Sequence, residues 1–102
     1  MRTTVPSRRH SEILSFKHNG ILFQGQVSFL PDGRPIEIFL DGGKSNTAVQ
    51  NMARDAAVAV SLALQFNTPL ETLREAMTRE DGGHAAGPLG TLLDLICGGG
   101  NG

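Results

Sequence analysis

Asn19-Gly20 is the pair of residues that most restricts how this chain can fold. Asn followed by Gly tolerates positive φ at both turn centres, so the pair favours the two-residue turn whose twist matches a β-hairpin. Both flanks alternate apolar with polar residues, His10 to Lys17 on one side and Ile21 to Phe29 on the other. A two-residue turn sets Phe16 opposite Phe23 and Leu14 opposite Gly25, which places Leu14, Phe16, Ile21, Phe23, Val27 and Phe29 on one face. Asp32-Gly33 offers the same turn chemistry, setting Phe29 opposite Ile36 and Val27 opposite Ile38 on that face. Pro31 and Pro35 flank this turn, where missing amide donors cost least if the third strand begins after Pro35. The expectation is a three-stranded antiparallel meander over residues 10 to 41.

The opposite face carries Ser15, Lys17, Gln24, Gln26, Ser28 and Glu37, as a solvated surface should. Ile13, Leu22 and Phe39 break that pattern, and Ile13, Gln26 and Phe39 form one cross-strand row. These three apolar residues are a candidate interaction surface. The first ten residues, a second copy of the chain or another protein could cover them; scattered surface apolars are the plainer reading.

After Asp41-Gly42-Gly43-Lys44-Ser45 the period lengthens, and Thr47 to Gln50 reads as a capping box. At 100° per residue the following run has an apolar arc of Val49, Met52, Ala53, Ala56, Ala59, Val60, Ala63, Leu64 and Phe66. Gln50, Arg54, Ser61 and Gln65 form the opposing polar stripe. This helix should lie on the sheet, with Val58 and Leu62 on its far side packed against the next helix. Thr68-Pro69-Leu70-Glu71 announces that helix, with Thr68 as cap and Leu70, Leu73 and Met77 as its apolar stripe. Residues 79 to 87 read as a polar, flexible connection. Pro88 to Cys97 reads as a last helix with Leu89, Leu92, Leu93 and Ile96 facing inward. The order β-β-β-α-α-α gives a two-layer α+β domain. Its bounds are a flexible basic arm over 1–9, one domain over 10–97 and a flexible Gly-rich tail over 98–102.

Length and composition limit the function. With 102 residues, 39% hydrophobic, 19% charged and a net charge of −1, the chain is one small globular domain without a membrane span. One cysteine and no apolar leader make a reducing cytoplasm the default. Residues 1–18 carry Arg2, Arg8, Arg9 and Lys17 against Glu12, net +3, leaving −4 for the other 84. A short basic arm of Arg8, Arg9 and His10 attracts phosphate only weakly at physiological salt, and aromatic residues are scarce, so both features argue against nucleic acid.

Few residues suit chemistry. Gly42, Gly43, Lys44 and Ser45, between a strand and a helix, are a candidate anion or nucleotide site, because free amides, a Lys and a positive helix end attract anions. A Walker loop would need glycine where Ile38 stands. A turn followed by a helix cap explains the same residues. His10, His18 and His84 lack ligand spacing, so no metal is expected, nor any other cofactor. No positioned serine nucleophile appears, and Cys97 reads as a small buried or fraying thiol; no catalytic residue is assigned.

Gly33 to Phe39, Gly43-Lys44-Ser45, Ala57 to Leu64 and Thr68 to Arg74, in that order, resemble the TSCPD domain. That domain occurs at the C-terminal end of vitamin B12-dependent ribonucleotide reductases and in small free-standing proteins. The likeness covers roughly residues 20 to 96. The family takes its name from a Thr-Ser-Cys-Pro-Asp stretch, and the corresponding region here, Gly87 to Asp94, holds no cysteine. A thiol role for that motif therefore does not carry over. Reducing a ribose needs a dithiol and a radical-bearing cysteine on a scaffold that excludes water, which one cysteine cannot supply. The resemblance implies an accessory module in deoxyribonucleotide synthesis, with a reductase chain or a nucleotide as partner. The alternative is a general interaction or homodimer module working through Ile13, Leu22 and Phe39.

Overall fold

The computed structural model describes residues 1–7, 9–44 and 47–98. Three strands, β1 (His10–His18), β2 (Ile21–Phe29) and β3 (Pro35–Gly42), form one antiparallel sheet in the order β1-β2-β3. Three helices follow, α1 (Ala48–Gln65), α2 (Leu70–Ala76) and α3 (Pro88–Ile96), so the expected α+β order holds. At Asn19 and Gly20 φ is 51° and 78°, the left-handed pair the first turn demands. The register follows from it: Phe16 lies opposite Phe23, Leu14 opposite Gly25 and Ile13 opposite Gln26.

The second hairpin departs from expectation and then returns to it. Its loop has three residues, Pro31, Asp32 and Gly33, rather than two: the Gly33 amide donates to the Leu30 carbonyl, and the Leu30 amide to that of Arg34, both at 2.8 Å. Gly33 takes φ 89°, the left-handed position that ends a three-residue hairpin turn. Phe29 consequently pairs with Pro35 instead of Ile36. A bulge between Ser28 and Phe29 makes up the difference, so that Ser28 pairs with Glu37 and Val27 with Ile38, as anticipated. One extra turn residue and one bulged residue cancel, and Ile36, Ile38 and Leu40 are all buried.

The helices cover the inner face in two parts. α1 runs along β3, while α3 lies across β1 and β2. The core combines Phe23, Val27, Ile38 and Leu40 of the sheet with Ala53, Ala57, Val60 and Leu64 of α1, Leu70 of α2, and Leu92 and Leu93 of α3. Phe16 stacks on Phe23 at 5.8 Å between ring centroids. Close approach of α3 depends on Gly25, where a Cβ would stand 2.6 Å from Leu92 Cδ1.

The buried face of α1 is turned from the expected arc. Ala53, Ala57, Val60, Ser61, Leu64 and Gln65 are buried, whereas Val49, Met52, Ala59 and Phe66 are exposed. The cause is the open edge of β3. In this register the amides and carbonyls of Ile36, Ile38 and Leu40 point away from β2, and buried backbone groups need partners. Ser61 Oγ accepts from the Ile38 amide at 2.8 Å and donates to the Ile38 carbonyl at 2.9 Å. Gln65 Nε2 donates to the Ile36 carbonyl at 3.4 Å. Two members of the expected polar stripe, Ser61 and Gln65, are thus the seam that fastens α1 to the sheet edge, while Arg54 is exposed.

Three local expectations are corrected. Val58 and Leu62 do not pack against the next helix but remain exposed, because α1 sits beside the sheet with that flank turned out. Pro69, not Thr68, is the N-cap of α2, and no side chain caps it. Residues 79–87 form a bonded loop rather than a loose one: Arg79 and Ala85 make a bridge, the Ala86 amide donates to the Thr78 carbonyl, and Ala85 is buried. Thr47 does cap α1, its Oγ1 accepting from the Gln50 amide at 3.3 Å. The expected glycine tail after Gly98 lies outside the described residues.

Candidate functional site

Placing α1 at the sheet edge creates a surface that neither element makes alone. Strand parity sends Ile13, Gln26 and Phe39 to the outer face in one row, as their pairing confirms. Ser61 fixes the rotation of α1, and that rotation brings Val58 and Leu62 level with Phe39. The three are 59%, 41% and 47% exposed, and with Gln26 they line a groove of about 380 Å³. Ile13 continues the apolar row across β1 at 61% exposure. Leu22, at 62%, shares the outer face but sits four residues along β2 from Gln26, roughly 13 Å away at strand rise, and stands apart from the groove.

The first residues of the chain close one end of this groove. Arg2 Nε bonds Gln65 Oε1, and the Thr3 amide donates to the Gln65 carbonyl at 2.6 Å. Arg9 reaches Glu37 Oε1 at 3.1 Å and the Pro6 carbonyl at 2.9 Å. Ser28 faces outward yet is buried, its Oγ 2.8 Å from Ser11 Oγ. Of the coverings considered for the outer face, the N-terminal segment therefore takes the end at Glu37 and leaves Ile13, Phe39 and Leu22 uncovered. That end of the apolar floor holds Arg2 and the Arg9–Glu37 ion pair.

The strand–helix join is differently equipped. Gly42 is required for space, since a Cβ there would run into the Phe23 ring and the Leu22 carbonyl. Its amide donates to Asp41 Oδ1 at 3.0 Å, and the Gly43 amide donates to the Leu22 carbonyl at 3.4 Å. Thr47 Oγ1 donates to the Lys44 carbonyl at 2.7 Å, and Asp41 Oδ1 also accepts from Gln50 Nε2 at 3.1 Å. An anion beside the exposed Lys44 would meet the Asp41 carboxylate as well. Ser45, the fourth residue of this candidate, lies outside the described residues.

A third cluster escapes sequence reading altogether. Asp94 on α3 receives both ends of the Arg79 guanidinium, at 2.6 and 2.7 Å, and Arg74 Nε of α2 at 2.8 Å. Hydrogen bonding from Arg79, and then from Arg74, holds the Asp94 carboxyl down at about 2 against the opposing effect of burial. The arrangement ties α2 and the 79–87 loop to α3. Nearby, His18 bonds the Ala86 carbonyl through Nε2 and Thr91 Oγ1 through Nδ1, both at 3.0 Å. The Thr91 hydroxyl also donates to the Gly87 carbonyl at 3.1 Å, and burial pushes the Cys97 thiol up, away from its reactive form.

The family model for the TSCPD domain matches residues 2–98. The chain belongs to the TSCPD domain family. Among curated proteins this TSCPD domain is similar to vitamin B12-dependent ribonucleotide reductases. It is 43% identical to that of Bradyrhizobium diazoefficiens over 77 residues and 35% identical to that of Agrobacterium fabrum over 77 residues, each covering 76% of this chain. To that of Rhodopirellula baltica it is 32% identical over 75 residues, 71% of this chain. It spans only 6 to 7% of the length of those reductases. No solved structure is a significant match. The stretch that the resemblance sets against the family's Thr-Ser-Cys-Pro-Asp motif forms the start of α3 here, where Gly90, Leu92 and Leu93 are buried. In this TSCPD domain Leu92 and Leu93 of that stretch belong to the core.

Proposed function

We propose that this TSCPD domain serves ribonucleotide reduction as a non-catalytic module that makes contact with a reductase chain. The observation that carries the reading is the groove of Phe39, Val58 and Leu62: an apolar floor bounded by Arg2 and the Arg9–Glu37 ion pair, in a chain whose relatives are reductases. Solvent-facing apolar side chains that meet across two elements suit protein contact better than they suit a monomer's surface. The single thiol supports a reducing cytoplasm as its setting. No described helix is long and apolar enough to cross a membrane.

Affinity capture from the native cell is the test. Wild-type chain should retain a ribonucleotide reductase, and Phe39→Asp, which places a carboxylate on the floor of the groove without touching the core, should lose at least tenfold of it. Equal capture by both variants moves the contact elsewhere; no reductase with either variant removes the reading.

A second reading keeps the contact but makes it with a nucleotide, at Gly42 to Ser45. Its support is the exposed Lys44 at the start of a capped helix. Calorimetric titration with nucleoside di- and triphosphates at low salt should then give heat that weakens in Lys44→Ala and fades as salt rises. An absence of heat at millimolar ligand leaves the protein contact alone.

A further inference from the structure

The two edges of the sheet are finished in different ways. At β3, Ser61 and Gln65 occupy the outward backbone groups of Ile38 and Ile36. At β1 the closing pair His18 and Ile21 of the two-residue hairpin exchanges both hydrogen bonds, so even-numbered residues bond to β2. Ser11, Ile13, Ser15 and Lys17 then direct their amides and carbonyls outward, and among the described residues no hydrogen bond from another element reaches them. β1 is nine residues long, unbroken in register, with neither a bulge nor a proline. Such a strand is a template for another.

We propose that β1 pairs antiparallel with β1 of a second copy, about a two-fold axis through Ser15, joining two sheets into one of six strands. The register follows from the side chains. A two-fold perpendicular to the sheet keeps each face on its own side, so like parities meet. An axis at Ile13 sets Glu12 opposite Leu14, and one at Leu14 sets Glu12 opposite Phe16; each puts a carboxylate against an apolar side chain. With the axis at Ser15, Leu14 of one copy lies opposite Phe16 of the other, Glu12 opposite His18, and Ile13 beneath the aliphatic stem of Lys17. That register also aligns the outward groups of Ile13 and Lys17 and of the two Ser15 residues as bonded pairs. Leu14 and Phe16, only partly buried in one copy, gain cover from the other. A strand that matches itself on apolar side chains and backbone groups together selects its own copy as occupant. The interface leaves the groove at Phe39 free, so it stands independently of the contact proposed above.

Sedimentation equilibrium over rising concentration should show twice the 10.8 kDa chain mass. Ser15→Pro removes an outward amide that β2 does not use, so its far-UV circular dichroism should be unchanged while its mass falls to that of one chain. Should that variant misfold, Ser15→Cys in a Cys97→Ser background decides: a short thiol-to-thiol cross-linker should convert it to covalent dimer, and Gln26→Cys in the same background should stay single. A wild-type monomer at every concentration, a dimer that survives Ser15→Pro with its fold intact, or no cross-linking at position 15 would overturn the proposal.

Discussion

Ser61 shows how one hydroxyl can stand in for a neighbouring strand. It satisfies both the amide and the carbonyl of Ile38 from a helix, in a buried position where neither group can find water. Ser61→Ala should therefore cost about 1–3 kcal/mol in urea unfolding, because it orphans two polar groups rather than removing one contact; an unchanged midpoint would mean the edge is wet. Hydropathy alone could not reveal this, since a serine on a helix reads as solvent-facing until the strand it serves is placed beside it. Asp94 is a second such residue. Its carboxyl titrates near 2 in the fold against an ordinary 3.8. A folded value below the unfolded one means stability present above pH ~4 and lost as pH falls through about 2. Asp94→Asn should lower stability at neutral pH and flatten that acid limb in thermal melts from pH 5 to pH 2. An acid limb as steep as the wild type's would assign the loss to other groups.

Elements were legible where turn chemistry was local. Asn19-Gly20 determined the β1–β2 register because both of its residues must take positive φ, and the alternation on each side agreed. Asp32-Gly33 named the right place but the wrong loop length; the bulge that restores Val27 to Ile38 depends on packing Ile36 into the core, which no dipeptide encodes. The α2 cap was missed because Thr68 instead donates its amide to the Ala63 carbonyl, completing the end of α1 around Asn67 at φ 73°. The distance of α3 from the sheet rests on Gly25. Gly25→Ala should cost about 1–3 kcal/mol by forcing Leu92 aside. Pairing it with Leu92→Ala should give a loss well below the sum of the two single losses; strict additivity would separate the two side chains. Phe23→Ala, which deletes the largest buried ring, should cost about 3–5 kcal/mol, and a loss under about 1 kcal/mol would place that ring on the surface.

For the whole molecule, the consequence of α1 sitting at the edge is that one helix has two apolar flanks with opposite fates. Carboxylates at Val58 and Leu62 should change stability by no more than about 0.5 kcal/mol each. Ala57→Asp, one residue away from Val58 but facing the core, should cost at least about 3 kcal/mol, since it buries an unpaired charge. Equal effects at positions 57 and 58 would contradict the observed rotation. Features that depend on neighbours along the chain were readable from residue order: three strands and three helices, the first hairpin's register, the Thr47 cap, and the outward parity of Ile13, Leu22 and Phe39. Which flank of α1 is buried, the closing of a groove by Arg2 and Arg9, and the gathering of Arg74 and Arg79 by Asp94 emerge once the chain is folded. The physical reason is that those outcomes hang on backbone groups and charges that meet across 15 to 63 positions of sequence, where periodicity carries no signal and the unpaired edge of β3 dictates what must come to it.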